Sequence, residues 1–394
     1  MRRHGFTLVE MLVSLALVLF IMVLLSQALT IGLQVFGQLK AIGEMEERLR
    51  MASTILRQDL KLDHFEGKRR LSDPSFWIQG PPREGFFHIE QLFPSTSDGL
   101  SSGGDPPSFI ATTHSLHFSI KARGSQRQDF LSAKVLAPTS PLFLADTTFF
   151  NFTPDSRYQD MPGVYNSQWA EVAYFLYRDP TSGPLANGIP LYALYRRQRL
   201  AVPNNLKINW DPNLSVKVVN ANDLNQKLNH DYASISCRRS KPLLPTDGAG
   251  FPDVLYFNNP TDLTVPERRF ATNPQTQVNR AFSNFLPLQD PKTIPPQDNQ
   301  TGADLLLTDV VSFTVRVLSP DLPNHGQDFS DLPPVNLPGQ PRIFDTWSTV
   351  RDDTYNFEAQ PPPSTIRITA LEITLRVWDV RTQQARQVTI IQDM

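Results

Sequence analysis

The sequence predicts an α+β protein in which one long N-terminal helix is followed by an antiparallel, β-rich head. Two observations support this class. Residues 6–65 contain no proline, and their apolar positions recur at helical spacing. Beyond about residue 71, short extended runs alternate with turn residues, and most of the 34 prolines lie in the connecting segments.

The first half of the helix predicts a membrane span over residues 6–30. Only Thr7, Glu10 and Ser14 interrupt the apolar run from residue 6 to residue 25, and about twenty apolar residues are enough to cross a bilayer. Arg2 and Arg3 precede the run, so the start of the chain should stay in the cytoplasm and the rest should cross. A cleaved secretory signal fits poorly, because such signals have shorter apolar regions with the small residue after them.

The second half of the helix predicts an amphipathic continuation over residues 31–65, ending near His64. One face carries an apolar stripe, and the other carries charged side chains. The stripe consists of Leu39, Ile42, Met45, Leu49, Ala52, Ile55, Leu56 and Leu60. Gly32, Gly37 and Gly43 are possible weak points of the helix.

Several segments of the head predict strands. Residues 115–122, 310–318 and 365–379 have alternating apolar positions, and residues 169–202 predict a long-looped antiparallel hairpin that residues 214–219 extend. Within 365–379 the apolar register slips by one residue, which predicts a β-bulge near Ala370. Residues 387–391 are expected to pair with this strand as the last strand.

Glu10 is the most informative single residue, because an ionised acid within a membrane span is costly and needs a partner. The span contains no Lys, Arg or His. A cut between Gly5 and Phe6 would create an α-amino group, whose pKa of about 7.7 to 8.0 keeps it largely cationic. Glu10 would then be the fifth residue, one turn from this amine, and it could neutralise the amine of a neighbouring subunit.

The run Gly5-Phe6-Thr7-Leu8-Val9-Glu10 resembles the prepilin processing motif of type IV pilins and of the pseudopilins of type II secretion. The resemblance implies that prepilin peptidase removes the leader, residues 1–5, and methylates the new N-terminus at Phe6. It also implies that Glu10 pairs with a neighbour's N-terminus during assembly. A plain signal anchor, in which Glu10 lies near the membrane interface, is the alternative.

Features of the head resemble the J-class minor pseudopilins of type II secretion. They are the hairpin ending in LYALYRRQRL, the strand VVSFTVRVL, the segment 344–347 and the closing TALEITLRVWD. The resemblance implies a periplasmic head, residues 66–394, at a filament tip, where it would initiate assembly or engage secreted cargo with other minor pilins or pseudopilins. Residues 203–309 depart from the pattern and are predicted to be an insertion.

Composition argues against several other functions. A net charge of −2 makes nucleic acid an unlikely partner, and the basic clusters at 68–70, 196–199 and 238–241 are expected on the solvated surface. The single cysteine, Cys237, cannot form an intramolecular disulfide and is expected to be buried.

The sequence contains no catalytic signature, no cofactor motif and no paired-cysteine metal site, so it predicts a protein that is not an enzyme. His114 and His117 should project to opposite faces of a strand, which suits a shared metal badly. The Asn- and Asp-rich runs 220–231 and 298–304 lack EF-hand spacing and are expected to be solvated loops rather than calcium sites.

These observations predict a minor pseudopilin in the bacterial inner membrane. Two alternatives remain open: a minor pilin of a type IV pilus, serving adhesion, motility or DNA uptake, and a membrane-anchored binding or hydrolytic domain. In the last case, residues 203–309 would be the place to look for a pocket.

Overall fold

The structure, a computed structural model, describes most of the chain. The described residues are 8–91, 94–97, 109–137, 140, 142, 163–177, 185–186, 189–202, 215–218, 226–239, 253–269, 303–334, 342–346, 365–379 and 382–394.

Helix α1 comprises Leu8–Lys61 and is one helix of 54 residues. It ends three residues before the predicted end at His64, and none of the three glycines interrupts it. Short helical turns follow in the head, at Glu66–Lys68, Arg127–Asp129, Lys227–Asp231, Asp262–Thr264 and Pro266–Arg268.

The head contains seventeen strands among the described residues, numbered here in chain order. The first nine are β1 (Phe87–Gln91), β2 (Thr96–Ser97), β3 (Phe109–Ile110), β4 (His114–Lys121), β5 (Leu131–Lys134), β6 (Val164–Ser167), β7 (Trp169–Tyr177), β8 (Leu185–Ala186) and β9 (Ile189–Pro190). The others are β10 (Tyr192–Leu200), β11 (Ser215–Val218), β12 (Cys237–Arg239), β13 (Asp253–Phe257), β14 (Ala303–Leu318), β15 (Arg342–Asp345), β16 (Ala370–Asp379) and β17 (Gln384–Asp393).

Eight of these strands form the main sheet, in the order β15-β1-β4-β7-β10-β14-β16-β17. Every neighbouring pair is antiparallel. A smaller sheet has the order β11-β13-β12, and three two-stranded sheets pair β2 with β3, β5 with β6 and β8 with β9. The observed α+β class is therefore the predicted one.

The predicted hairpin is confirmed, because β7 and β10 pair antiparallel with Leu194 opposite Leu176. The predicted last strand is also confirmed, since β17 pairs with β16 along its whole length. Strand β11 does not extend the hairpin as predicted. It pairs with β13 in the smaller sheet, where Val216 lies opposite Leu255.

The β-bulge predicted near Ala370 is not present. Strand β16 begins at Ala370 and pairs with β17 without a register shift. Residues 365–369 lie outside the strand, so the slip in the apolar pattern marks the point where the strand begins. A shift occurs instead on the neighbouring strand β14, between Val310 and Ser312.

The two faces of the main sheet differ in chemistry. We call the face that packs against α1 the front face; its apolar side chains, such as Phe118, Val315 and Ile373, join Leu49 and Leu56 of the helix in one buried cluster. The opposite back face carries buried polar and charged side chains besides apolar ones, and residues from the 234–269 segment contact it.

Candidate functional site

The first half of α1 is an exposed apolar helix. Its most apolar 18-residue window has a mean hydropathy of 2.9, and none of that window is buried. Every residue from Leu8 to Lys40 is exposed. At 1.5 Å per residue this part is about 50 Å long, more than the roughly 30 Å hydrocarbon core of a bilayer. By length and composition, the helix could cross a membrane.

Glu10 lies in the first turn of α1 and is exposed. An acid in the first turn is favoured there, because the backbone N–H groups give the helix N-terminus a partial positive charge. No Asp, Glu, Lys, Arg or His follows Glu10 along the chain until Lys40. Gly5 and Phe6 lie outside the described residues, so the roles given to them by the resemblance remain predictions.

The second half of α1 rests on the front face. Met45, Leu49, Ala52, Leu56 and Leu60 are buried at steps of three and four residues, and they join the main hydrophobic cluster. The helix contacts β14, β16 and β17. The residues that carry the head thus lie within the predicted amphipathic half, 31–65. Residues 31–40 of that half, including Leu39 of the predicted stripe, are exposed instead.

A buried ion pair adds to this apolar contact. The guanidinium of Arg196 on β10 donates two hydrogen bonds to Asp59 of α1, Nε to Oδ2 at 2.7 Å and Nη2 to Oδ1 at 3.0 Å. The hydroxyl of Tyr174 on β7 donates to Oδ2 of Asp59 at 2.5 Å. Burial and the adjacent carboxylate of Asp59 raise the pKa of Tyr174 well above its ordinary value, so Tyr174 keeps the proton that it donates. The three groups therefore link the helix to two strands of the head.

No pattern in the sequence predicted this link. Asp59 is an acidic residue within the buried part of α1. Its place among the apolar residues of the helix was the one signal in the sequence that it pairs with another group. Arg196 was predicted to lie on the solvated surface with its neighbours, and that prediction is wrong. The side chains of Arg197 and Arg199 are also buried, on the back face, because alternate residues of β10 face opposite sides of the sheet.

One buried polar cluster on the back face surrounds Asp345. Arg269 donates two hydrogen bonds to this carboxylate, at 2.8 and 3.1 Å, and Nδ1 of His88 lies 3.0 Å from it. Burial disfavours the ionised carboxylate, but Arg269 and His88 outweigh burial and lower the pKa of Asp345. The Arg269 guanidinium also lies 3.8 Å from the centre of the Phe86 ring. These contacts hold the 262–269 segment on the sheet.

A second cluster surrounds Glu171 on β7. Nε2 of His117 lies 3.2 Å from Oε2 of Glu171, and the Ser236 hydroxyl donates to Oε1. Burial, together with the positive charge of Arg269, lowers the pKa of His117 well below its ordinary value. His117 is therefore neutral at pH 7. Both clusters join parts of the head that are far apart in the sequence.

Neither cluster has the geometry of a metal site. Within the described part of the chain, no group of three or more His, Cys, Asp or Glu side chains could hold a metal ion. His114 is not near Glu171: its Nδ1 accepts a hydrogen bond from the N–H of Val315 at 3.1 Å. Cys237 is buried as predicted, and burial raises the pKa of its thiol to about 12, which makes it unreactive.

Other predicted segments lie only partly within the described residues. The run 298–304 is described only from residue 303, and the run 220–231 only from residue 226. The segment 203–309 contributes the smaller sheet, and β14 begins at Ala303 within it. The extent of the insertion remains a prediction.

Comparison with known families gives one match. Residues 1–26 match the model of the prokaryotic N-terminal methylation motif. No curated protein and no solved structure matches the chain significantly. The match supports a prepilin of the pilin or pseudopilin type, processed by prepilin peptidase and assembled with other pilins. It is consistent with a single-pass, membrane-anchored protein, and it favours a structural protein over an enzyme.

Proposed function

We propose that the chain is a minor pseudopilin of a type II secretion system, cleaved after Gly5 and N-methylated on Phe6. One observation carries the proposal. The processing motif, which ends at Glu10, leads directly into an uninterrupted helix whose apolar half is exposed. A motif, a cleavage position and a span in this order are what a subunit needs to be trimmed in the membrane and then packed into a helical filament core.

The way the head is attached supports a structural role. Apolar contacts and the Asp59–Arg196 pair fix the head on the second half of α1. A force or a displacement along the helix is therefore passed to the sheet rather than absorbed by a flexible linker. This is the property that a subunit pushed or pulled by its membrane anchor requires.

The proposal places the chain among the J-class minor subunits. The motifs behind this resemblance lie on β10, β14 and β16, which are consecutive strands of the main sheet. The proposed location is the inner membrane, with a periplasmic head near the filament tip. The proposed partners are prepilin peptidase, other minor subunits and secreted cargo, and the subunit itself is not an enzyme.

The assignment to type II secretion is tested in the source bacterium with the gene deleted. Complementation uses the wild-type chain or Gly5→Val, a variant expected to resist processing. Secreted proteins that accumulate in the periplasm after deletion, and return to the medium only with the wild-type chain, would support a pseudopilin. Loss of surface pili with normal secretion would assign the chain to a type IV pilus instead. Full rescue of either defect by Gly5→Val would contradict both assignments.

A further inference from the structure

Strand β17 forms a long edge of the main sheet. It contains ten residues and pairs with β16 over its whole length without a bulge. Proteins usually protect such edges with proline, lysine, bulges or short strands. Residues 384–393 contain neither proline nor lysine, and the opposite edge strand, β15, has only four residues. Among the described residues, the edge at β17 is therefore protected only by charged side chains such as Arg386.

Alternate backbone N–H groups of β17 point away from the sheet. The N–H of Met394 donates to the carbonyl of Thr369 at 3.0 Å, so the even-numbered positions face β16. By the two-residue period of a strand, the N–H groups of the odd-numbered positions face outward. They belong to Ala385, Gln387, Thr389, Ile391 and Asp393. No described residue accepts a hydrogen bond from these five groups.

We propose that β17 is a docking edge for an extended strand of another protein, which adds to the main sheet as a ninth strand. The row of outward N–H and C=O groups defines the occupant, because only an extended backbone matches its spacing. In this mode the main-chain hydrogen bonds provide affinity, and the side chains of the occupant provide specificity.

The occupant is not a second copy paired antiparallel through β17. Such a pair would have a two-fold axis perpendicular to the sheet, and this axis reverses every direction within the sheet plane. Helix α1 lies along the front face across β14, β16 and β17, so the two helices would become antiparallel. Two chains anchored in one membrane cannot adopt that arrangement; this step rests on the membrane anchoring in the proposed function.

The side chains of β17 indicate the chemistry of the incoming strand. Arg386 has a side chain that is 43% exposed, and it forms a loose, exposed ion pair with Glu46 of α1 at 4.0 Å. An acidic residue in the incoming strand would pair with it. Toward the other end, Thr389 is exposed and Ile391 is 58% exposed on the back side, where uncharged β-branched residues would pack. The partner strand is thus acidic at one end and β-branched along one face.

The test uses the full-length chain in lipid nanodiscs and a synthetic peptide as the probe. The peptide has ten residues that alternate Thr and Val, with Glu at the position opposite Arg386. Amide hydrogen exchange is followed residue by residue. We expect the peptide to slow exchange at the five odd-numbered positions of β17 by at least tenfold and to leave the even-numbered positions unchanged.

Three variants make the result specific. Thr389→Pro removes one outward N–H and should abolish the protection, whereas Thr389→Val keeps that N–H and should preserve it. Arg386→Glu should weaken protection by the Glu peptide, and a peptide with Lys at that position should restore the protection. This charge reversal tests the proposal even if the proline variant misfolds. Lack of protection in the wild-type chain would overturn the proposal, as would protection elsewhere or mutual protection of two copies without peptide. N-terminal processing is measured separately, so a failure here leaves the proposed function intact.

Discussion

Asp59 is the residue on which the attachment of the head depends most. Its carboxylate lies in the buried part of α1, and moving an ion out of water costs several kcal/mol. Arg196 and Tyr174 offset that cost with three hydrogen bonds from two strands. Asp59 therefore specifies which face of the helix packs against the sheet, and at which position along the helix axis.

We predict that Asp59→Asn destabilises the head by about 3 kcal/mol, because Arg196 loses its hydrogen-bonded counter-ion and keeps only the exposed carboxylate of Asp304, 3.8 Å away. The substitution keeps the size of the side chain at position 59. The measurement is chemical unfolding of the detergent-solubilised chain. Glu44→Gln is the matched control, since Glu44 pairs with Lys40 on the exposed side of α1 and should cost under about 0.5 kcal/mol. Equal costs for the two variants would show that the Asp59 pair contributes no more than a surface pair.

His88 should stabilise the head mainly at acidic pH. Burial lowers its pKa, but the hydrogen bond to Asp345 and the carboxylate of Glu90, 3.8 Å from Nε2, outweigh burial and raise the pKa above the usual 6.5. Because the pKa of His88 is raised on folding, protonated His88 stabilises the head fully below pH 6.5. This stabilisation is lost as the pH rises through the pKa of His88 in the folded head. The destabilisation caused by His88→Gln should therefore be larger near about pH 5.5 than near about pH 9.

His117 provides a control of opposite sign for this measurement. Its pKa is lowered in the folded head, so the wild-type chain loses stability as pH falls through the unfolded-state value. The destabilisation caused by His117→Gln should shrink on acidification. Thermal unfolding of both variants over this pH range checks the pair. Parallel pH profiles for the two variants would contradict the assigned environments.

For single residues, burial could be predicted from the sequence in some cases and not in others, for a physical reason. Cys237 was expected to be buried, since a lone cysteine behaves as a small apolar residue. The arginines of β10 were assigned to the surface because charged side chains usually lie there. The acid that pairs with Arg196 is 137 residues away in the chain. No local pattern in the sequence reveals such a partner.

Among the elements, the turn that leads into β1 is tightly constrained. Gly85 has a φ of +79°, and its N–H donates to the carbonyl of Pro260 at 2.9 Å. A Cβ atom there would overlap the carbonyl oxygen of His64 and approach Oγ of Ser119. Gly80, five residues earlier, has a similar φ of +80° but open space around it.

This contrast predicts different costs for the same substitution. Gly80→Ala should cost about 1 to 2 kcal/mol, the strain of a left-handed residue that carries a Cβ. Gly85→Ala should cost a further 1 to 3 kcal/mol, roughly the penalty of overpacking a buried site. Thermal unfolding of the two variants measures the difference. A Gly85→Ala variant as stable as Gly80→Ala would show that the turn is looser than the structure indicates.

Long and strongly periodic elements were the predictable ones. The apolar periodicity of α1 and the alternation in β4, β7 and β10 determined their type and approximate bounds, because burial on one face imposes the period. Pairing between distant strands was not predictable. Strand β11 looked like an extension of the hairpin because it follows β10 in sequence, but its partner β13 follows later in the chain.

At the scale of the whole molecule, one helix joins a membrane-compatible half to a half that carries the head. The sequence predicted such a division at residues 30 and 31, whereas the helix in the structure stays exposed as far as Lys40. It did not predict the buried polar clusters of the back face. Their members come from β1, β4, β7, β15 and the 234–269 segment, which only the folded sheet brings together.

Glu10→Leu tests the role of the anchor in assembly. The variant should still insert and be cleaved, because it keeps Gly5 and Phe6 and makes the span more apolar. It should not enter the filament fraction, because the amine of a neighbouring Phe6 loses its counter-ion. Ser14→Leu is the control, since it removes another polar group from the same span and should assemble. Cross-linking to other subunits is the readout, and normal incorporation of Glu10→Leu would contradict the role given to this acid.

The most direct test of the central proposal is the N-terminal mass of the membrane-purified chain, produced with and without a co-expressed prepilin peptidase. The proposal predicts a chain that starts at N-methylated Phe6 only when the peptidase is present. A chain that keeps residues 1–5 under both conditions would contradict the prepilin assignment, and α1 would then be a plain signal anchor.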